Sequence, residues 1–281
     1  MTTLQYTVHV APAKPAVSDD LPPGEDRRMW SPTASTLIHG EHDAVLVDPL
    51  MTVEESRALA DWVAATGKDL TTIFVTHAHG DHFFGAPALL ERFPDARLVA
   101  TAGVADSMGA QYGERWFGGF WDPRFPGQIS PRHVAAEPLG ADNVIELEGE
   151  QLHAIELGHT DTDASSALHV PSIGLLVAGD AVYGDVHLYL AESGNEGHSR
   201  WLDALDTLER LAPSAVVSGH KRDGDPDSPQ DIARTRQYIR QFAAAAEKAA
   251  GHQDLYDAMV ALHPGRLNRG VLWNSAKAVT A

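Results

Sequence analysis

Residues 76–82 read Thr76-His77-Ala78-His79-Gly80-Asp81-His82, which sets three imidazoles and a carboxylate within six positions. The segment follows Thr72-Ile73-Phe74-Val75, a run with the β-branched and aromatic content of a buried strand. Side chains alternate along extended chain, so His77 and His79 point the same way from the strand end. Gly80 permits a sharp turn, after which Asp81 and His82 face a second point close to the first. One loop thus offers ligands to two neighbouring positions, as half of a dinuclear metal site would. The competing reading, a polar loop of satisfied histidines, leaves this density of ligands unexplained.

The other half must come from elsewhere in the chain. Three later turns each set one ligand-type residue beside glycine after an apolar run: Gly158-His159-Thr160, Gly179-Asp180-Ala181 and Gly219-His220-Lys221. Taken singly, each is more often a turn than a ligand. With the loop they give five histidines and two aspartates, a donor set suited to two borderline-hard divalent ions. The chain contains no cysteine, which excludes disulfides and thiolate ligands and leaves nitrogen and oxygen to hold any metal. The other histidines, among them His9, His39, His42, His133, His153, His169, His252 and His263, read as surface or satisfied core residues. His187 and His198 follow Asp180 closely enough to reach a substrate.

In order and approximate spacing, His-x-His-x-Asp-His with the later Gly-His, Gly-Asp and Gly-His resembles the metallo-β-lactamase fold hydrolase superfamily, over about residues 4–220. The resemblance implies an α+β fold, an αββα sandwich of two mixed sheets flanked by helices, with the metals at one edge. It implies that His77, His79 and His159 hold one ion, that Asp81, His82 and His220 hold the other, and that Asp180 bridges them. Two divalent ions are expected, with zinc the default and iron, manganese or cobalt the alternatives. A bridging Asp is similar to glyoxalase II and the acyl-homoserine lactonases, and it disfavours a literal β-lactamase. Tyr183, three residues after Asp180, resembles the lactonase tyrosine that hydrogen-bonds the substrate carbonyl. A buried tyrosine packed on the sheet is its competing reading.

The expected reaction is attack of a metal-bridging hydroxide on a carboxylic ester or lactone carbonyl, with Asp81 or Asp180 carrying the proton to the leaving group. Thioester hydrolysis of the glyoxalase II type and phosphoester hydrolysis are the alternatives. No basic cluster for glutathione is evident, and the 61 residues after His220 are short for that enzyme's helical domain. A flavodiiron-type redox role is disfavoured, because that family has Glu where this chain has His79 and carries a flavodoxin partner domain. A non-catalytic binding role is disfavoured by the complete ligand set.

The elements that must position these residues follow from periodicity. Residues 4–10 alternate as a first strand, and 37–38 pairs with 44–48 across a turn at Gly40-Asp43. Thr52 and Glu55 form a capping box that opens a helix closed by Gly67. Strands are expected at 71–76, 96–100, 143–147, 151–157, 165–170, 173–178 and 215–217, and helices at 87–92 and 197–211. C-terminal helices are expected within about 228–262, followed by a polar tail. Between about 104 and 138 lies an insertion holding Trp116, Phe117, Phe120 and Trp121 among glycines and prolines. It does not read as a regular element, and a lid over the site whose aromatics touch substrate is the expectation. No linker divides residues 1–281, so one domain is expected.

Hydrophobic residues make up 43% of 281, enough to bury a sizeable core. Net charge is −18, from 21 basic and 39 acidic residues, which argues against nucleic acid as a partner. No apolar run approaches the roughly 20 residues of a membrane helix, and the start lacks a secretory pattern. A cytoplasmic protein acting on a small molecule is therefore expected. Its oligomeric state is left open, a homodimer being one alternative.

Overall fold

The computed structural model describes residues 3–280. Its strands are β1 (Gln5–Ala11), β2 (Lys14–Ala16), β3 (Arg28–Trp30), β4 (Thr33–His39), β5 (Asp43–Val47), β6 (Asp69–Phe74), β7 (Arg97–Ala100), β8 (Glu137–Pro138), β9 (Val144–Leu147), β10 (Glu150–Gly158), β11 (Ser165–Val170), β12 (Leu175–Val177) and β13 (Ala215–Val217). One sheet runs β1-β4-β5-β6-β7-β8 and a second runs β13-β12-β11-β10-β9, with β2 and β3 paired separately. Both main sheets are mixed. The pairs β5/β6, β6/β7, β7/β8 and β12/β13 are parallel, and the remaining neighbours are antiparallel.

Period-two alternation decides which side chains meet. Ile38, Val45, Val47, Phe74 and Val99 of the first sheet share one core cluster with Leu152, Leu168, Leu175, Val177 and Val217 of the second. Their neighbours Leu37, Leu46, Ile73 and Leu98 point to the opposite face, into a cluster with helices α1 (Val53–Ala65), α3 (Ala86–Arg92) and α4 (Ala102–Gln111); the four-residue α2 (Gly80–Phe83) belongs to the site loop. Ala167, Leu176 and Val216 likewise turn outward from the second sheet, against α6 (Gly194–Arg210), α7 (Gln230–Ala246), α8 (His252–Leu262) and α9 (Arg269–Val279). A strand covered on both faces must be apolar on both, hence the continuous run Ala44-Val45-Leu46-Val47. The result is the expected αββα sandwich.

The expected capping box is present: Thr52 Oγ1 accepts from Glu55 N–H, and the Glu55 carboxylate accepts from Thr52 N–H. Two readings need correction. The aromatic stretch is regular after all, a π-helical segment at Glu114–Trp121 continuing into α5 (Asp122–Arg124). Aromatic packing selects that wide turn, with Trp121 buried against Trp30 and Phe84 and its indole N–H donating to Gln111 Oε1 at 2.8 Å. The polar tail is α9 instead. Asn268 caps it by accepting from Val271 N–H, and Leu272, Trp273 and Ala276 pack into the outer cluster of the second sheet. Among the described residues no helix is long and apolar enough to cross a membrane.

Candidate metal centre

The ligand-type residues converge because several strands end at one edge of the sandwich. β6 ends at Phe74 and leads through Val75 and Thr76 into His77 to His82; β12 ends at Val177 just before Asp180; β13 ends at Val217 just before His220. The two sheets are tied there by Ala34 N–H donating to Gly219 O at 2.8 Å. Gly219 must lack a side chain, since a Cβ would sit 2.1 Å from Asp180 Oδ1 and 2.7 Å from the Gly179 carbonyl carbon.

The side chains gather into two adjoining groups. His82 Nε2 lies 3.2 Å from Asp180 Oδ1 and 3.9 Å from Asp81 Oδ2, while His220 Nε2 lies 3.1 Å from Asp180 Oδ2 and 3.5 Å from Asp81 Oδ2. Beside them, His79 Nδ1 lies 2.8 Å and His77 Nε2 3.6 Å from Asp161 Oδ2. The His77 and His82 rings are 4.3 Å apart at their centroids, so the two groups share a wall. All of these side chains are buried.

The outer nitrogen of each imidazole is already committed. His82 Nδ1 donates to Asp48 Oδ2 at 2.9 Å, and His220 Nδ1 donates to Pro32 O at 2.8 Å. His79 Nε2 donates to Glu192 Oε1 at 3.2 Å. Thr76 Oγ1 gives its own proton to Asp48 Oδ2 at 2.8 Å, so it accepts from His77 Nδ1 at 3.0 Å. Every neutral ring therefore turns a lone pair inward, towards carboxylate oxygens that are themselves acceptors. His77 Nε2, His82 Nε2, Asp161 Oδ2 and Asp180 Oδ1 are buried without a hydrogen-bond partner among the described residues. Lone pairs facing carboxylates across about 3 Å repel unless a proton or a metal cation lies between them, and outer bonds of this kind are what fix the tautomer of a metal-binding histidine. The donor set fits divalent cations.

The electrostatics agree. Burial opposes the Asp180 carboxylate, yet His220 and His82 hold its pKa well below the usual carboxylate range. Burial also disfavours charge on His82 and His79, but Asp180 and Asp161 respectively pull those rings well above the ordinary imidazole value. A site that draws protons this strongly without metal is one that divalent cations neutralise directly.

His159 stands apart from both groups. Its Nδ1 is 2.7 Å from Asp163 Oδ1 and its Nε2 is 3.2 Å from Ser193 Oγ, whose own proton goes to Thr160 O. The place beside His77 and His79 is held by Asp161, in the bend between β10 and β11, which sequence reasoning passed over. Asp48, Trp30 and Glu192 were missed as well. Trp30 Nε1–H donates to Asp81 Oδ2 at 3.1 Å from the strand β3.

Above the metal-type residues opens a narrow cleft, walled by Trp30, Trp116, Phe120, Trp121 and Tyr189, with His79, Asp81, Asp180 and His220 among the residues facing it. Of the aromatics expected at substrate, Trp116, Phe120 and Trp121 line the cleft, whereas Phe117 packs on Phe84. Tyr183 also lines it, its phenol donating to Asp180 Oδ2 at 2.6 Å. Burial, then the charge of Asp180, pushes that phenol well above its ordinary pKa, so it keeps its proton. His187 lines the cleft with Nδ1 2.8 Å from the Tyr238 hydroxyl, and burial followed by Arg266 lowers its pKa to about 3, which keeps the ring neutral. His198 packs on Phe242 outside the cleft.

Comparison with known proteins places this geometry in a family. The profile described as "Metallo-beta-lactamase superfamily" matches residues 28–220. A hydroxyacylglutathione hydrolase of Cupriavidus metallidurans is 31% identical over 235 residues, covering 78% of this chain and 83% of that one. One of Parasynechococcus marenigrum is 35% identical over 81 residues, where the match spans only 28% of that protein's length. Among solved structures, a beta-lactamase domain protein from Burkholderia ambifaria superposes with a TM-score of 0.63 at 19% identity, over 89% of this chain and 80% of that one. A metallo-beta-lactamase from Pontibacter korlensis gives 0.59 at 16%, over 84% and 99%; at such identities both speak for the fold alone. The matched span runs from the strand that carries Trp30 to His220 itself, and the chain belongs to the metallo-beta-lactamase superfamily of hydrolases.

Proposed function

We propose that this hydrolase cleaves neutral carboxylic esters or lactones that carry an apolar group. The observation that carries the reading is the cleft itself: aromatic walls lead down to Asp180 and Tyr183, and no lysine or arginine lines it among the described residues. An apolar acyl or alkyl group gains roughly 0.8 kcal/mol per buried CH₂ in such surroundings. A ligand bearing several carboxylates would find Glu192 on the wall and no lysine or arginine side chain there to pair with them.

His77, His79, Asp81, His82, Asp180 and His220 are the residues proposed to hold two divalent ions. Bound there, the ions supply an acidified water and a Lewis-acid hold on the carbonyl oxygen. The chain's own groups do the rest. Trp30 fixes Asp81 through Oδ2 and leaves Oδ1 to take the proton of the attacking water and return it to the leaving alkoxide. Tyr183, protonated and lining the cleft, donates its O–H to Asp180 Oδ2 in the structure, and its proposed role is to swing that O–H to the oxygen that gains charge as the carbonyl carbon becomes tetrahedral. The rings of Trp30, Phe120 and Trp121 pack edge to face and exclude bulk water above that point, where a lower dielectric strengthens each contact.

Thioester hydrolysis is the second reading, favoured by the likeness to the Cupriavidus metallidurans hydroxyacylglutathione hydrolase. A panel of lactones, aryl esters, glutathione thioesters, phosphoesters and β-lactams, run with and without chelator, separates the two. Neutral esters and lactones are expected to be turned over at least about 10-fold faster, by kcat/KM, than glutathione thioesters, with all activity lost on chelation. Faster thioester turnover would replace the first reading, and chelator-resistant activity would remove both.

Replacement Tyr183→Phe deletes one hydroxyl and keeps the ring that packs against Trp201 and His220. It is expected to lower kcat about 10- to 100-fold, the worth of one hydrogen bond to a charged acceptor, with KM and metal content little changed. An unchanged kcat would return the residue to a packing role.

A further inference from the structure

Asp161 is among the most buried polar residues of the molecule, and its two oxygens are treated differently. Oδ1 accepts from the Thr160 hydroxyl at 2.9 Å. Oδ2 has no hydrogen-bond partner among the described residues, although the inward nitrogens of His79 and His77 stand 2.8 Å and 3.6 Å from it. Those atoms, one from each residue, fall within 4.8 Å of one another, the compactness of a ligand shell. A buried carboxylate oxygen without a hydrogen-bond partner is unfavourable unless a cation compensates it.

The residue just before Thr160 is engaged elsewhere. Both His159 nitrogens face side-chain oxygens, and the ring lies against α6, where a Cβ on Gly197 would be 2.6 Å from Nε2. Turning it towards His77 would break both contacts and displace Asp161. The path of the chain supports this arrangement. Thr160 N–H donates to Thr162 O at 3.0 Å, Ser193 Oγ donates to Thr160 O at 2.9 Å, and Ser166 Oγ donates to Thr76 O at 2.7 Å. These bonds fix residue 161 directly opposite the histidine loop.

We propose that Asp161, and not His159, completes the first metal position together with His77 and His79. This rests on the two-metal hydrolase reading and changes its chemistry. Two divalent ions among Asp81, Asp161 and Asp180 leave the centre one unit positive, where a histidine at that position would leave it two units positive. A third carboxylate weakens the pull on a bound carbonyl and shifts preference from zinc towards harder ions such as manganese and ferrous iron.

The test uses the full chain loaded with cobalt(II). Paramagnetically shifted ring N–H signals are expected from His77, His79, His82 and His220, with none from His159; a fifth shifted ring would overturn the proposal. Metal analysis gives a second, independent readout. Asp161→Ala is expected to fall from about two equivalents per chain to about one, with the remaining ion's affinity retained, while His159→Gln keeps both. Asp161→His, which puts a neutral ligand in place of the carboxylate, is expected to recover the second equivalent and thereby exclude misfolding as the cause of the loss. Two equivalents in Asp161→Ala with one in His159→Gln would assign the position to His159 and leave the hydrolase reading standing. A wild-type chain that binds no divalent ion would overturn both.

Discussion

Asp180→Asn is expected to lose at least one metal equivalent and to lower kcat/KM at least about 1,000-fold, roughly 4 kcal/mol of transition-state stabilisation. The substitution keeps size and removes only charge. In the wild type one oxygen faces His82 Nε2 at 3.2 Å, and the other faces His220 Nε2 at 3.1 Å while accepting from Tyr183 at 2.6 Å. An amide nitrogen in either place brings N–H groups where a ligand oxygen stood, and the remaining carbonyl cannot serve both sides. Asp180→Glu is no rescue, because the Gly219 backbone already closes on this side chain and leaves little room for an added methylene. Metal analysis beside steady-state kinetics checks the prediction, and a variant that keeps two equivalents and wild-type turnover would remove the bridging role. Loss of turnover with full metal content would instead make Asp180 a proton carrier only.

How much of this was readable beforehand depends on how far apart in the chain the partners are. His77, His79, Asp81 and His82 announce themselves because a single loop holds them. Asp180 and His220 carry the weaker signal of a ligand-type residue beside glycine at a strand end, and it takes several such turns together to make a site. The continuous apolar run of β5 was legible because a strand covered on both faces is apolar on both, and the sandwich follows from that covering. Trp30 and Glu192 gave no such signal, since a tryptophan in an irregular stretch and a loop glutamate acquire meaning only from Asp81 and His79, 51 and 113 residues away. In the segment 158–163 the glycine drew the reading to His159, and Asp161 gave no signal because it is brought to the histidine loop by the bends at 160–164 that join β10 to β11. The π-helical aromatics escaped for a related reason. Their wide turn is chosen by rings on other elements, not by local propensity.

Asp48 shows the same limit and carries the second large effect. A single aspartate after a strand reads as a turn residue, and it does sit at φ 59°, a left-handed conformation that Asp and Asn tolerate better than other side-chain-bearing residues. Folded, its carboxylate accepts from Thr76 N–H at 2.9 Å, from Thr76 Oγ1 at 2.8 Å and from His82 Nδ1 at 2.9 Å. It thereby sets the His82 tautomer directly and the His77 tautomer through Thr76. Asp48→Ala leaves three buried donors unpaired and places alanine at positive φ, for an expected loss of about 3 kcal/mol of stability and a metal affinity weakened about 100-fold. Asp48→Asn separates the two effects. The amide tolerates the backbone and keeps one acceptor, so most of the stability should return. Its N–H₂ group, however, either meets the Thr76 and His82 donors or turns to Thr76 N–H, and the ring that meets it must move its proton to Nε2, away from the tautomer that binds metal. The expected result is a melting temperature near wild type with metal affinity still down about 10- to 100-fold, read by thermal denaturation of the apo chain and by chelator competition. Recovery of affinity together with stability would show that Asp48 acts by packing alone, and that the inward lone pair of His82 is set by something other than its outer hydrogen bond.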